Sequence, residues 1–109
     1  MAKTIVEISF KLTVPASEYE RAVAPLAQTI ADVEGLEWKI WLLNDAASEA
    51  GGIYLFADES SAQAFLVEPL IAQLGQMSCI GMLRTQQFDV LDTLTATTRG
   101  PLAAYAQGL

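Results

Sequence analysis

The chain contains no histidine, and that absence removes several chemistries together. A Ser-His-Asp or Cys-His device, a histidine-ligated metal and an axial imidazole on haem all need a side chain that is missing. One cysteine, Cys79, excludes an internal disulfide and a thiolate metal cluster. It falls in a strand pattern and reads as a small core residue in a reducing compartment. Basic residues are few, six against thirteen acids, for a net charge of −7. No basic run breaks that field, so neither nucleic acid nor an anionic membrane surface is an expected partner. No P-loop or GxGxxG stretch offers a cradle for nucleotide phosphates. The acids are scattered rather than clustered, so no metal site is expected. No apolar run approaches a membrane span. The opening Ala2-Lys3-Thr4 leads into alternation rather than a signal peptide, so the cytoplasm is the expected location.

What is present is an apolar chain. Hydrophobic residues make up 52% of the 109 and charged residues 17%, against about 25% charged in an ordinary domain. The length suits a single domain over residues 1–109. A domain so small and so apolar retains apolar area after folding. A second copy of the chain is the simplest cover for it, giving an expected homodimer. A ligand cavity or an apolar surface would account for the same surplus.

From Lys3 to Val14 the residues Val6, Ile8, Phe10, Leu12 and Val14 alternate with Glu7, Ser9, Lys11 and Thr13, which predicts a half-buried strand ended by Pro15. Ser17 is placed to cap a helix whose stripe is Tyr19, Val23, Leu26, Ile30 and Val33. Pro25 predicts a kink in it, and Gly35 a left-handed end. Leu36 to Leu43 reads as a strand with Trp38, Ile40 and Leu42 on one face and Trp41 and Leu43 on the other, both faces being covered. After a loop over 44–50, Gly51-Gly52 permits a bulge or a close backbone approach at the head of a strand from Ile53 to Ala57. A second helix starts at Asp58 or Ser60, where Ser60 and Gln63 have capping-box spacing. It buries Ala62, Phe65, Leu66, Leu70 and Leu74, is disturbed at Pro69 and ends at Gly75. A long strand is predicted from Cys79 to Val90, with Gly81 permitting a bulge. Residues 93–100 read as loop and 102–109 as a short tail helix. The order βαββαβ is the split-βαβ, ferredoxin-like pattern of an α+β fold. It implies a four-stranded antiparallel sheet with two helices on one face.

Two tryptophans stand three residues apart on the second strand, Trp38 and Trp41, and must point to opposite faces. Either one, with Tyr54 from the next strand and Phe10 or Phe65 nearby, forms the wall of a pocket for a flat apolar molecule. The alternative is that both are core or interface residues. Glu49 precedes an apolar strand and Lys39 interrupts one. Partial burial would raise the carboxyl pKa or lower that of the amine, making either a candidate for proton transfer. A loop-edge ion pair is the other reading of Glu49. Arg84 in the last strand would anchor a polar substrate group or pair with an acid. Cys79 has no base to activate it.

The stretch Gly35-Leu36-Glu37-Trp38-Lys39-Ile40-Trp41, then Glu49-Ala50-Gly51-Gly52-Ile53-Tyr54-Leu55-Phe56, Asp58-Glu59 and Ser61-Ala62, resembles the signature of the YdhR-type monooxygenase family. Pro25-Leu26-Ala27 and Phe88-Asp89-Val90 extend the resemblance over nearly the whole chain. It implies a dimeric α+β barrel, two sheets face to face with helices outside. It also implies a cofactor-independent monooxygenase reaction on a small aromatic or apolar substrate. In that scheme Trp38 and Tyr54 position the substrate and Glu49 or Lys39 accepts its proton. Ser48 stands where some relatives carry histidine, so no imidazole acts at that point. Fold does not fix function. A non-catalytic dimeric binding protein and an isomerase on the same barrel are the competing expectations.

Overall fold

The computed structural model describes residues 3–102. Four strands, β1 (Thr4–Leu12), β2 (Leu36–Asn44), β3 (Glu49–Phe56) and β4 (Ile80–Asp89), form one sheet in the order β2-β3-β1-β4. All three pairings are antiparallel. That is the ferredoxin-like arrangement expected from the order of elements. The core lies on one face, where Val6, Ile8, Phe10, Tyr54 and Phe56 meet Tyr19, Val23, Ile30, Ala62, Phe65 and Leu74 from the helices. Tyr54, Phe56 and Phe65 pack their rings within 4.9 to 6.4 Å of one another, each burial contributing about 1.5–3 kcal/mol.

The helical layer is more divided than the periodicity predicts. Instead of one kinked helix there are two, α1 (Ala16–Val23) and α2 (Leu26–Ala31), because Pro25 has no N–H for the carbonyl of Arg21. Pro15 occupies the cap position of α1, so Ser17 lies inside the helix and caps nothing. The second expected helix divides in the same way into α3 (Glu59–Leu66) and α4 (Pro69–Gln76), with Pro69 at the first position of α4, where its missing donor costs nothing. Asp58 is the cap of α3. Its Oδ1 accepts from the Ser61 N–H at 2.8 Å and from the Ser60 hydroxyl at 3.0 Å. The expected capping box does not form, because Gln63 donates instead to Glu59. Gly75 lies within α4 rather than closing it. Gly35 does take a left-handed conformation, φ 83°. A β-carbon there would fall 2.3 Å from the Ser61 hydroxyl, so this turn admits only glycine.

Two bulges set which side chains face the helices. On β2, Leu36 pairs with Phe56 but Trp38 pairs with Leu55, so one extra residue separates them. Leu36 therefore faces the helices and Trp38 faces away, where simple alternation would have put them together. On β4 the register slips between Ser9 and Lys11 of its partner, and Met82 takes φ 53°.

Residues 93–100, expected to be loop, contain a further short helix, α5 (Asp92–Thr97). It has no buried residue, so it leaves no apolar stripe in the sequence. With residues 98–102 it packs over the Ile5–Trp38 end of the sheet face opposite the core. The Trp38 indole N–H donates to the Pro101 carbonyl at 2.8 Å and ties that segment down. Residues 103–109 of the expected tail helix lie outside the described residues. Elsewhere on this face Ile40, Met82 and Phe88 are exposed by 49%, 78% and 47%. No helix among the described residues is long and apolar enough to cross a membrane.

Candidate active site

The alternation of β2 sends Lys39, Trp41 and Leu43 to the helix face, opposite Tyr54, Gly52 and Ala50 of β3. Trp41 has only a glycine across the strand. The Lys39 stem fills that space. A β-carbon on Gly52 would come within 2.5 Å of Lys39 Cε. Lys39 Nζ then lies 3.3 Å from the centroid of the Trp41 ring and 4.5 Å from that of Tyr54. Both ring faces attract the ammonium form. Burial acts the other way and pushes the amine pKa down to about 7.

Around this amine Phe10, Tyr19, Val23, Leu26, Ile30 and Leu74 enclose a cavity of about 10 Å³, the room of a single water. A larger groove of about 310 Å³ opens beside it between α1 and the β2 edge, walled by Tyr19, Val23, Ala24, Ala27, Trp41 and Leu43. Its volume is at the lower end for small-molecule sites. Tyr19 and Trp41 belong to both spaces, so they form the partition between groove and amine. Tyr19 packs edge-on to Phe10 at 5.7 Å. Burial, with Cys79 nearby, raises its phenol to about 12. Tyr54 is raised further, by burial and then by Tyr19. Both phenols stay protonated at neutral pH. Cys79 is buried as a core residue.

The other expected site residues are elsewhere. Glu49 pairs with Lys11 at 2.8 Å on a solvent-exposed part of the sheet. The Lys11 hydrogen bond and charge, with Arg84 adding, hold the Glu49 carboxyl below its ordinary value rather than above it. That is the loop-edge ion pair and not a raised carboxylic acid, so Glu49 does not join Lys39. Arg84 is exposed near the same pair, where it lines a shallow surface pocket with Ser9 and Glu49. Trp38 faces away from the groove and has its indole N–H committed to Pro101, which removes it as a positioning donor beside Tyr54. Phe65 lies behind Tyr54 in the core and does not line the groove. The structure thus brings together Lys39, Trp41, Tyr54 and Phe10. It adds Tyr19 and Gly52, which the sequence offers only as a stripe residue and a flexible one. Among the described residues no group of three or more Cys, Asp or Glu is arranged to hold a metal.

The family model described as putative mono-oxygenase ydhR matches residues 5–101. Among solved structures the chain is similar to SnoaB, a cofactor-independent oxygenase from Streptomyces nogalater. The TM-score is 0.69 and the identity 17%, over 86% of this chain and 98% of that one. It is also similar to a monooxygenase from the gene ActVA-Orf6 of Streptomyces coelicolor in complex with nanaomycin D. There the TM-score is 0.62 and the identity 14%, over 82% and 88% of the two chains. The haem-degrader MhuD from Mycobacterium tuberculosis, with two haems in its active site, gives 0.61 and 17% over 80% and 95%. At these identities the likeness establishes the fold. No curated protein matches.

Proposed function

The chain belongs to the family described as putative mono-oxygenase ydhR, and from that premise we propose that it is a cofactor-independent monooxygenase acting on a small phenol or similar aromatic compound bound in the Tyr19–Trp41 groove. The observation that carries this reading is the placement of Lys39. It is the one ionisable cation on the helix face of β2, held between two aromatic rings in a small apolar cavity that Tyr19 and Trp41 separate from the groove. The oxygenase and ligand-bound relatives of the same fold support the reaction class.

The chemistry follows from an amine that is substantially neutral at pH 7. The ring of the substrate lies against Trp41 and Tyr19, and its hydroxyl is directed at Nζ. The lone pair of Lys39 takes the phenolic proton, leaving an electron-rich phenolate in a site with little water. A ring carbon then bonds to dioxygen, and loss of water from the resulting hydroperoxide gives a quinone. The ammonium, held over the rings, stabilises the oxyanion through these steps. The ammonium gives the peroxide its proton, forming the hydroperoxide that loses water, and the neutral amine is restored. The protein acts as a homodimer in this proposal, the exposed apolar side chains of the sheet face opposite the core supporting a second copy there.

The test is oxygen uptake by metal-stripped protein against a panel of phenols and hydroquinones, with Lys39→Met and Trp41→Ala beside the wild type. Uptake that falls by at least about a hundredfold in Lys39→Met fits loss of a general base. Tight binding of a phenol with no uptake would replace the enzyme by a binding protein. Product formation without oxygen uptake would replace it by an isomerase.

A further inference from the structure

The chain has three lysines, and the structure treats them differently. Lys3 Nζ is bonded to Glu37 and Lys11 Nζ to Glu49, at 2.7 and 2.8 Å. Lys39 alone is packed against carbon. Its neighbours are the Trp41 and Tyr54 rings, with the hollow above Gly52 taking its stem. A carboxylate partner holds the proton on an amine and blocks its lone pair. An amine without one, in a site that disfavours charge, is a nucleophile.

We propose that Lys39 is a carbonyl-capturing amine, condensing with a small apolar aldehyde or ketone that enters by the Tyr19–Trp41 groove to form an imine. The Nζ lone pair attacks the carbonyl carbon and a C–N bond forms. The two amine hydrogens leave with the carbonyl oxygen as water, so nothing is oxidised or reduced. The groove walls Val23, Ala24, Ala27 and Leu43 suit an apolar substituent on the carbonyl. The cavity beside the amine has room for about the one water released. The depression of the Lys39 pKa by burial supplies free amine at neutral pH. The groups facing it are few. Tyr54 comes from β3 and Tyr19 from α1, both protonated, while Glu20 of α1 lies at the groove. Leu26 and Ile30 of α2 and Leu74 of α4 are apolar. No carboxylate among the described residues bonds to Nζ to re-protonate it.

This inference shares its site with the oxygenase reading but not its chemistry, and the two fail separately. The full chain is treated under nitrogen at pH 7 with benzaldehyde and sodium cyanoborohydride, which reduces any imine to a stable benzylamine. Peptide mass mapping then locates the adduct. Lys39 is expected to be labelled at least about tenfold faster than Lys3 or Lys11, whose amines are bonded to carboxylates. The preference should disappear in strong urea. Lys39→Met should lose that adduct and leave labelling of the other two lysines unchanged. Should that variant fail to fold, the wild-type ratio of Lys39 to Lys11 still decides. Labelling of exposed Lys11 as fast as Lys39, or sparing of Lys39, overturns the proposal whatever the oxygen-uptake assay gives.

Discussion

Replacing Lys39 by methionine keeps an unbranched stem and removes the charge, and the effect on stability should depend on pH. In the folded chain the amine loses its proton near pH 7, against 10.5 for a free lysine. Between these values the unfolded chain holds a proton that the folded chain has released, so unfolding takes up a proton and stability rises with pH. Below pH 7 both states are charged and the full cost of burying the ammonium is present. At about 1.4 kcal/mol per pKa unit, that cost has an upper bound of about 5 kcal/mol. Water reaching the partly open amine, and ring faces that favour the cation, reduce it to roughly 1–3 kcal/mol. The methionine variant should therefore be the more stable at pH 6 by roughly that amount, with the gap narrowing above pH 7 and closing near pH 10.5. Urea unfolding of both proteins at a series of pH values measures the difference and cancels every other titrating group. A variant less stable than the wild type at pH 6, or a gap that does not vary with pH, would refute the account of this amine.

Glu49→Gln should leave oxygen uptake and ligand binding unchanged, because the carboxylate is on the exposed Lys11 pair and outside the groove; a steady-state comparison with wild type checks this. Gly52→Ala places a methyl where the Lys39 stem lies, so the amine should move toward water and lose its selective labelling by benzaldehyde, read by the same mass mapping. Phe65→Ala should cost about 3–5 kcal/mol in urea unfolding, since the side chain is 1% exposed against Tyr54 and Phe56. Ile40→Glu adds charge to the apolar sheet face without touching the groove, and sedimentation velocity at micromolar concentration should then show monomer where the wild type shows dimer.

Much of this arrangement is legible in the sequence because period-two alternation is strong in β1 and β2. The pattern places Trp38 and Trp41 on opposite faces and makes Tyr54 a neighbour of one of them. What it cannot supply is the pairing across strands. Lys39 meets Tyr54 only because a bulge between Leu36 and Trp38 sets the register, and nothing in the local sequence marks that extra residue. Glu49 is near Gly52 along the chain, yet Glu49 is turned to solvent by Lys11 from β1. Tyr19 reads as one more residue of an amphipathic stripe, and only the packing of α1 on the β2 edge makes it a groove wall. The prolines signal disturbance correctly. Whether a helix bends or divides depends on how the next turn packs, and at both Pro25 and Pro69 it divides.

The most direct test is a crystal structure of the protein with the tightest-binding phenol of the panel. The ring should lie against Trp41 and Tyr19 in the groove, with its hydroxyl within hydrogen-bond distance of Lys39 Nζ. A phenol bound on the opposite sheet face beside Trp38 and Ile40, with Lys39 still closed off between its two rings, would contradict the proposed site.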